Sequence, residues 1–150
     1  MQEQLIWRIS VEKFNMVKAG PIIAGKRKTA IAKLRIKPGT GKVTYNYLPY
    51  TELNLFHRLS LSEPLRIYEK ELGEVKYDLN IKTQGGGKEG QIQAARLAIA
   101  KALVHATSSD VLKKAYLKYD RNMLVADSRR KEANKPGDSA PRSKRQKSYR

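Results

Sequence analysis

The sequence predicts an α+β fold, a sheet layer covered by helices, followed by an extended basic C-terminal tail. Three observations carry that expectation. Apolar and polar residues alternate at period two over 30–37, 42–47 and 75–82, the signature of half-buried strands. Apolar residues recur at helical spacing between 91 and 103. From Asp127 onward the chain is rich in Lys and Arg and almost free of apolar side chains, so it cannot bury enough surface to offset its chain entropy. The element order reads ββααβαα plus tail, a two-layer sandwich.

In the first strand Ala30, Ala32, Leu34 and Ile36 form a packing face, and Lys33, Arg35 and Lys37 stand in a row on the other. Pro38-Gly39-Thr40-Gly41 punctuates as a turn. Residues 42–47 alternate again, with Val43, Tyr45 and Tyr47 on one face, so the two strands are expected to pair as a hairpin. Residues 51–62 and 64–72 read as two short helices. Thr51 caps the first; Pro64 sits in the first turn of the second, with Ser62 or Glu63 ahead of it. Gly73 is the stop. Val75, Tyr77, Leu79 and Ile81 then alternate with Lys76, Asp78, Asn80 and Lys82.

The glycine-rich run 84–90 leads into a helix whose stripe is Ile92, Ala95, Ile99, Ala102 and Leu103. Leu97, Ala98 and Ala100 leave it little polar face, which predicts a central helix on the sheet, with Arg96 beside the stripe. A further helix over about 109–117 is capped by Ser108 or Ser109. Order is expected to end near 126. The division is then an N-terminal extension (1–21), a globular α+β domain (22–126) and a tail (127–150). Met16 precedes a plausible second beginning, which would make 1–15 a dispensable extension.

Charge narrows the partners. The 150 residues hold 31 Lys+Arg against 14 Asp+Glu, a net +17. Self-repulsion of that size is relieved by a polyanion, and nucleic acid is the obvious one. The tail holds nine Lys or Arg and three acids, a net +6. A membrane surface would want a basic helix with a large apolar face, which the tail lacks. No run approaches the roughly 18 apolar residues of a bilayer span. Glu3, Arg8, Glu12 and Lys13 interrupt the start where a secretory signal would be apolar. A cytoplasmic location is expected. Cysteine is absent, which removes disulfides, thiolate nucleophiles and Cys-based zinc sites, and His57 and His105 are isolated. No catalytic group, metal or cofactor is expected.

Three features can carry binding chemistry. Gly25-Lys26-Arg27-Lys28-Thr29 is a basic cluster that continues into the Lys33, Arg35, Lys37 face; phosphate contacts need such spacing without fine geometry. Gly85, Gly86 and Gly87 lie between a strand and a helix. They serve either a tight turn or a close approach of backbone to phosphate. The loop lacks both the Walker pattern and a spaced G-x-G-x-x-G, which speaks against a nucleotide-binding enzyme. Of the tyrosines, most fall at packing positions and some can stack on bases; Tyr149 lies in the cationic tail.

The runs GKRKTAIAKLRIKPGTGKV (25–43), GGGKEGQIQAARLAIAKAL (85–103) and YDRNMLVADSRRKE (119–132) resemble the small-subunit ribosomal protein S-nine family. The ending KRQKSYR (144–150) is similar to the archaeal and eukaryotic cytosolic branch. The resemblance covers about 22–150 and leaves out the first fifteen residues. It is poor over 48–72 apart from Glu63-Pro64-Leu65, and 133–143 is less basic than the family's usual tail. It implies a non-enzymatic constituent of the small-subunit head, with the ribosomal protein S-five domain-two-like sandwich and its left-handed βαβ crossover. Its implied partners are small-subunit rRNA, neighbouring head proteins and the anticodon stem-loop of P-site tRNA. With the basic face and glycine loop, the expected rRNA set is Lys26, Arg27, Lys28, Lys33, Arg35, Lys37, Gly85, Gly86, Gly87, Lys88, Gln91, Arg96, Arg121, Arg129, Arg130, Lys131, Lys135 and Arg142. Lys144, Arg145, Lys147, Ser148, Tyr149 and Arg150 would be the tRNA-proximal group.

Overall fold

The computed structural model describes residues 21–137 and 140–143. The N-terminal extension and the tRNA-proximal group lie outside them, apart from position 21. Five strands, β1 (Ile22–Arg27), β2 (Ala30–Pro38), β3 (Val43–Tyr45), β4 (Leu48–Pro49) and β5 (Tyr77–Gln84), form one open sheet in the order β1-β2-β5-β3-β4. Pairing is antiparallel except between β3 and β5. Three α-helices, α1 (Leu55–Leu72), α2 (Lys88–Thr107) and α3 (Asp110–Tyr119), complete the α+β arrangement, which is compatible with two layers.

Period two decides which face of the sheet is covered. Ala30, Ala32, Leu34 and Ile36 are buried, as are Leu79 and Ile81 opposite them and Val43 and Tyr45 beyond. Helix α2 lies over β1, β2 and β5 and is flanked by α1 and α3. Its Ile92, Ala95, Ile99, Ala102 and Leu103 are all buried, as the stripe predicts, together with Leu97, Ala98 and Ala100. A fully buried Leu or Ile such as Leu34, Ile81, Ile99 or Leu103 contributes about 1.5–3 kcal/mol through the hydrophobic effect. The alanines let α2 sit very close to the sheet. At Gly25 a methyl group would come 2.0 Å from the Ala94 carbonyl oxygen and 2.8 Å from the Ala98 nitrogen.

Three expectations need correction. Residues 22–27 form an edge strand that the basic cluster hid: β1 pairs with β2 through the two-residue turn Lys28-Thr29. That turn has no Asn or Gly to announce it, and Lys28 takes φ +53 unaided. Second, β2 and β3 do not make a hairpin, because β5 lies between them. The reason is Asp78. Its carboxylate accepts from the backbone N–H of Thr40 (2.9 Å) and of Lys42 (3.0 Å), and Gly39 N–H donates to Lys76 O at 3.0 Å. The 38–41 turn is thus wrapped around the entry to β5, and β3 emerges on its far side.

Third, the two short helices are one. Pro64 lies inside α1, removing one helical hydrogen bond, while Leu61, Pro64, Leu65 and Tyr68 hold the helix by burial. The hydroxyl of Tyr116 in α3 donates to the Pro64 carbonyl at 2.8 Å, and burial pushes its pKa far above the usual value. Thr51 caps nothing: Tyr50–Glu52 is a 3-10 turn, and Asn54 stands at the start of α1. The third helix does begin as read, with the Ser109 hydroxyl accepting from Leu112 N–H at 3.4 Å. No helix among the described residues is long and apolar enough to cross a membrane.

Candidate nucleic-acid interface

The face of the sheet turned away from the helices has no covering element among the described residues, and cations dominate it. Lys33, Arg35 and Lys37 project from β2, Lys26 from β1 and Lys82 from β5, all exposed. Cross-strand register sets their neighbours. Lys33 lies between Ala24 and Lys82, Arg35 between Ile22 and Asn80, and Lys37 opposite Asp78. The Lys33–Lys82 pair places like charges directly opposite each other, which destabilises an isolated sheet. Along β2 the three cations stand about 6.6 Å apart by strand geometry. A row of that kind holds a phosphate backbone without base-specific contacts.

The glycine loop closes the same end of the sheet. Gly85 (φ +76) and Gly86 (φ +64) adopt left-handed backbone. A methyl group at Gly85 would come 2.8 Å from Thr29 O, and one at Gly86 would come 2.9 Å from the Ala30 Cβ. Both glycines are therefore needed to seat the loop against the β1–β2 turn. Gly87 stands at the start of α2 with open space around it. A cleft of about 560 Å³ separates loop and turn, with Arg27, Lys28, Gly87 and Lys88 on its walls. Gln91 is an internal brace instead: it donates to Gly85 O at 3.0 Å and accepts from the hydroxyls of Thr83 (3.2 Å) and Tyr45 (3.4 Å).

Arg96 is likewise turned inward. Its guanidinium pairs with Glu63 of α1 at 2.6 Å and Asp120 after α3 at 3.0 Å, with the side chain 13% exposed. It joins three helical segments. Asp127 makes the second clamp. It pairs with Arg27 of β1, and with Arg129 at 2.7 Å while accepting the Arg129 backbone N–H at 2.8 Å. The Arg129 side-chain bonds, that backbone bond and Arg27 together hold the Asp127 carboxyl far below the usual carboxylate range, against an opposing push from burial. The same pairing raises the pKa of Arg129.

The structure thus gathers Lys26, Lys33, Arg35 and Lys37 on the open face, and Lys28, Gly85, Gly86, Gly87 and Lys88 at its end. Arg27 sits beside the cleft and in the Asp127 clamp. Arg121, Arg130, Lys131 and Lys135 are exposed. Arg142 pairs with Glu132 at 2.9 Å. The described part of the tail, 127–137 and 140–143, carries no helix or strand. The sequence reading missed Lys82: period two along 76–82 puts it on the polar face, and sheet register sets it opposite Lys33. It also missed Tyr47. Read on one strand face with Val43 and Tyr45, Tyr47 instead occupies the β3–β4 turn and is 77% exposed. His57 bonds Glu89 at 2.7 Å across the starts of α1 and α2. Among the described residues no three His, Asp or Glu gather as metal ligands.

Comparison with known proteins gives the family. The family model described as ribosomal protein S9/S16 matches residues 25–150. The small ribosomal subunit proteins uS9 of Methanococcus maripaludis strains C5 and C7 are each 42% identical to this chain over 129 residues, covering 84% of it and 95% of their own length. The match runs from within β1 through the helices to the end of the basic tail, and the chain belongs to the ribosomal protein S9/S16 family, in its archaeal-like form.

Proposed function

We propose that this chain is a structural constituent of the small ribosomal subunit that binds its rRNA. The observation that carries this reading is the uncovered sheet face, with five exposed cations, Lys26, Lys33, Arg35, Lys37 and Lys82, and Asp78 the acid in register with them. Lys28 and Lys88 extend the cationic surface around the glycine cleft, and Arg121, Arg129, Arg130, Lys131, Lys135 and Arg142 extend it along the tail. Arg96, Gln91 and the glycines act by positioning that surface. The division into an extension (1–21), an rRNA-binding domain (22–126) and a tail (127–150) belongs to the same proposal. So does the finer fold, the S-five domain-two-like sandwich, for which the parallel β3–α1–β5 connection speaks.

The finer placement is in the head of the subunit, on cytoplasmic ribosomes, among neighbouring head proteins. There the residues Lys144, Arg145, Lys147, Ser148, Tyr149 and Arg150 reach the anticodon stem-loop of P-site tRNA. Family membership and the charge of the tail support it. The first test is sedimentation of a native lysate at low and high salt, probed for this chain. Travel with the small subunit through moderate salt is expected. A position at the top of the gradient would instead favour a free-standing nucleic-acid binder. Deleting 144–150 should leave assembly intact and weaken P-site tRNA binding, read by filter binding to purified subunits; unchanged affinity would refute the tRNA contact.

A further inference from the structure

Tyr47 is at the wrong place for an ordinary tyrosine. It forms, with Asn46, the two-residue turn between β3 and β4, and both residues have positive φ, +47 for Asn46 and +72 for Tyr47. Asn is at home there. A bulky aromatic residue is not, and glycine would be favoured. The turn is nevertheless firmly held. Asn46 accepts the Thr83 backbone N–H and donates to the Thr83 hydroxyl, each at 2.9 Å, and its own N–H donates to Ile81 O at 2.9 Å. So the backbone fixes a strained tyrosine whose ring buries little of itself.

The surroundings of the ring are those of a stacking platform. Lys82 Nζ lies at the hydroxyl end of the ring, 4.6 Å from its centroid, and donates to the Tyr47 hydroxyl at 2.6 Å. Ring and ammonium stand on one wall of a shallow groove of about 620 Å³ on the open face of the sheet, with Ile31, Lys33 and Gln84 along it. The groove therefore offers a flat aromatic surface, an apolar floor at Ile31, an amide at Gln84 for the edge of a base, and two ammonium groups. This combination fits one unpaired nucleotide: base on the ring, phosphate between Lys33 and Lys82. A helical stretch of RNA presents no free base face to such a ring, and an acidic peptide has no use for it.

We infer that Tyr47, with Lys82 and Lys33, forms a stacking subsite for a single unstacked nucleotide of the RNA held by the open sheet face. The inference rests on the rRNA-binding reading above and adds to it a base contact among phosphate contacts. It also accounts for the strain: the turn holds the ring out toward RNA.

Small subunits assembled with this chain test it, using chemical probing of rRNA bases and ultraviolet cross-linking with peptide mapping. With the unaltered chain, one unpaired nucleotide should be protected and should cross-link to the peptide containing Tyr47. Tyr47→Phe keeps the ring and should keep the protection. Tyr47→Gly removes the ring and relaxes the turn. It should leave folding and incorporation intact while shifting that nucleotide toward the unstacked state by roughly 5- to 150-fold, the range expected for loss of one base–aromatic stack. Equal base reactivity with the unaltered chain and Tyr47→Gly would overturn the subsite and leave the phosphate-binding face standing. So would a cross-link from Tyr47 to a neighbouring protein alone. Failure of the unaltered chain to enter the subunit would overturn the rRNA reading and the subsite together.

Discussion

At the scale of single residues, the chain uses its charges in two distinct ways, and burial separates them. Lys33, Arg35 and Lys37 are exposed and face no acid except Asp78 opposite Lys37. Arg96 and Arg27 are tucked in and paired with carboxylates. Arg96→Ala would strip Glu63 and Asp120 of their shared partner and should cost roughly 2 kcal/mol, read as a lowered urea midpoint. Tyr116→Phe removes the bond to the Pro64 carbonyl and should cost about 1 kcal/mol with the packing preserved. Asp127 has a pH consequence. Its carboxyl is depressed by Arg129 and Arg27, so its contribution to holding the tail is present above the ordinary value of 3.8 and is lost only as pH falls well below it. The Arg129 amide resonance should therefore keep its bonded shift through the range where exposed carboxylates protonate. A change centred near the ordinary value would show that the clamp is not formed. From the sequence alone Arg96 looks like one more cation for RNA; only the approach of Glu63 and Asp120 from distant segments shows its other role.

At the scale of elements, legibility followed the range of the interactions. The α2 stripe and the buried face of β2 depend on period alone, and every residue assigned to them is buried. The β2–β3 pairing depended on a contact made across the chain, between Asp78 and the amides of Thr40 and Lys42, and no local pattern announces it. Pro64 read as a break because a proline normally ends a helix; here burial of Leu61, Leu65 and Tyr68 outweighs the one missing bond. β1 was hidden because Ile22-Ile23-Ala24 and the basic cluster that begins at Gly25 show no alternation. That glycine is nonetheless the tightest point of the sheet–helix contact. Gly25→Ala should cost roughly 3 kcal/mol or more, since backbone of α2 would have to retreat from β1 and β2. A thermal melt within a degree of the unaltered chain would mean that the helix sits farther off than described.

At the scale of the whole molecule, the proposed reading divides labour between a face that grips RNA and a tail that reaches beyond it. If the sheet face supplies phosphate contacts, replacing Lys33, Arg35 and Lys37 together by Gln should reduce the slope of log affinity against log salt by about 2–3, the count of contacts removed. Measured on an rRNA fragment that the unaltered chain binds, an unchanged slope would move the contact surface elsewhere. The net +17 makes some salt dependence certain, so the difference between the two proteins is the informative quantity. The sequence conveyed this scale well, because charge and family resemblance need no contact map. It conveyed the open face only in part: Lys82 joins Lys33 through sheet register, and register is not visible in a strand read alone.

The Asp127 clamp has one more consequence. It fixes the origin of the tail at the edge of the sheet, through Arg27 of β1 and Arg129. The 21 residues from 130 to 150 can span at most about 70 Å when fully drawn out. If the sheet face and the tail bind as proposed, the tail's contact lies inside that radius and meets it at an effective concentration on the order of millimolar, so a weak contact suffices. Releasing the clamp would lengthen the tether by a few residues and blur its origin. Asp127→Asn should therefore weaken the distal contact while the residues that make it stay unchanged.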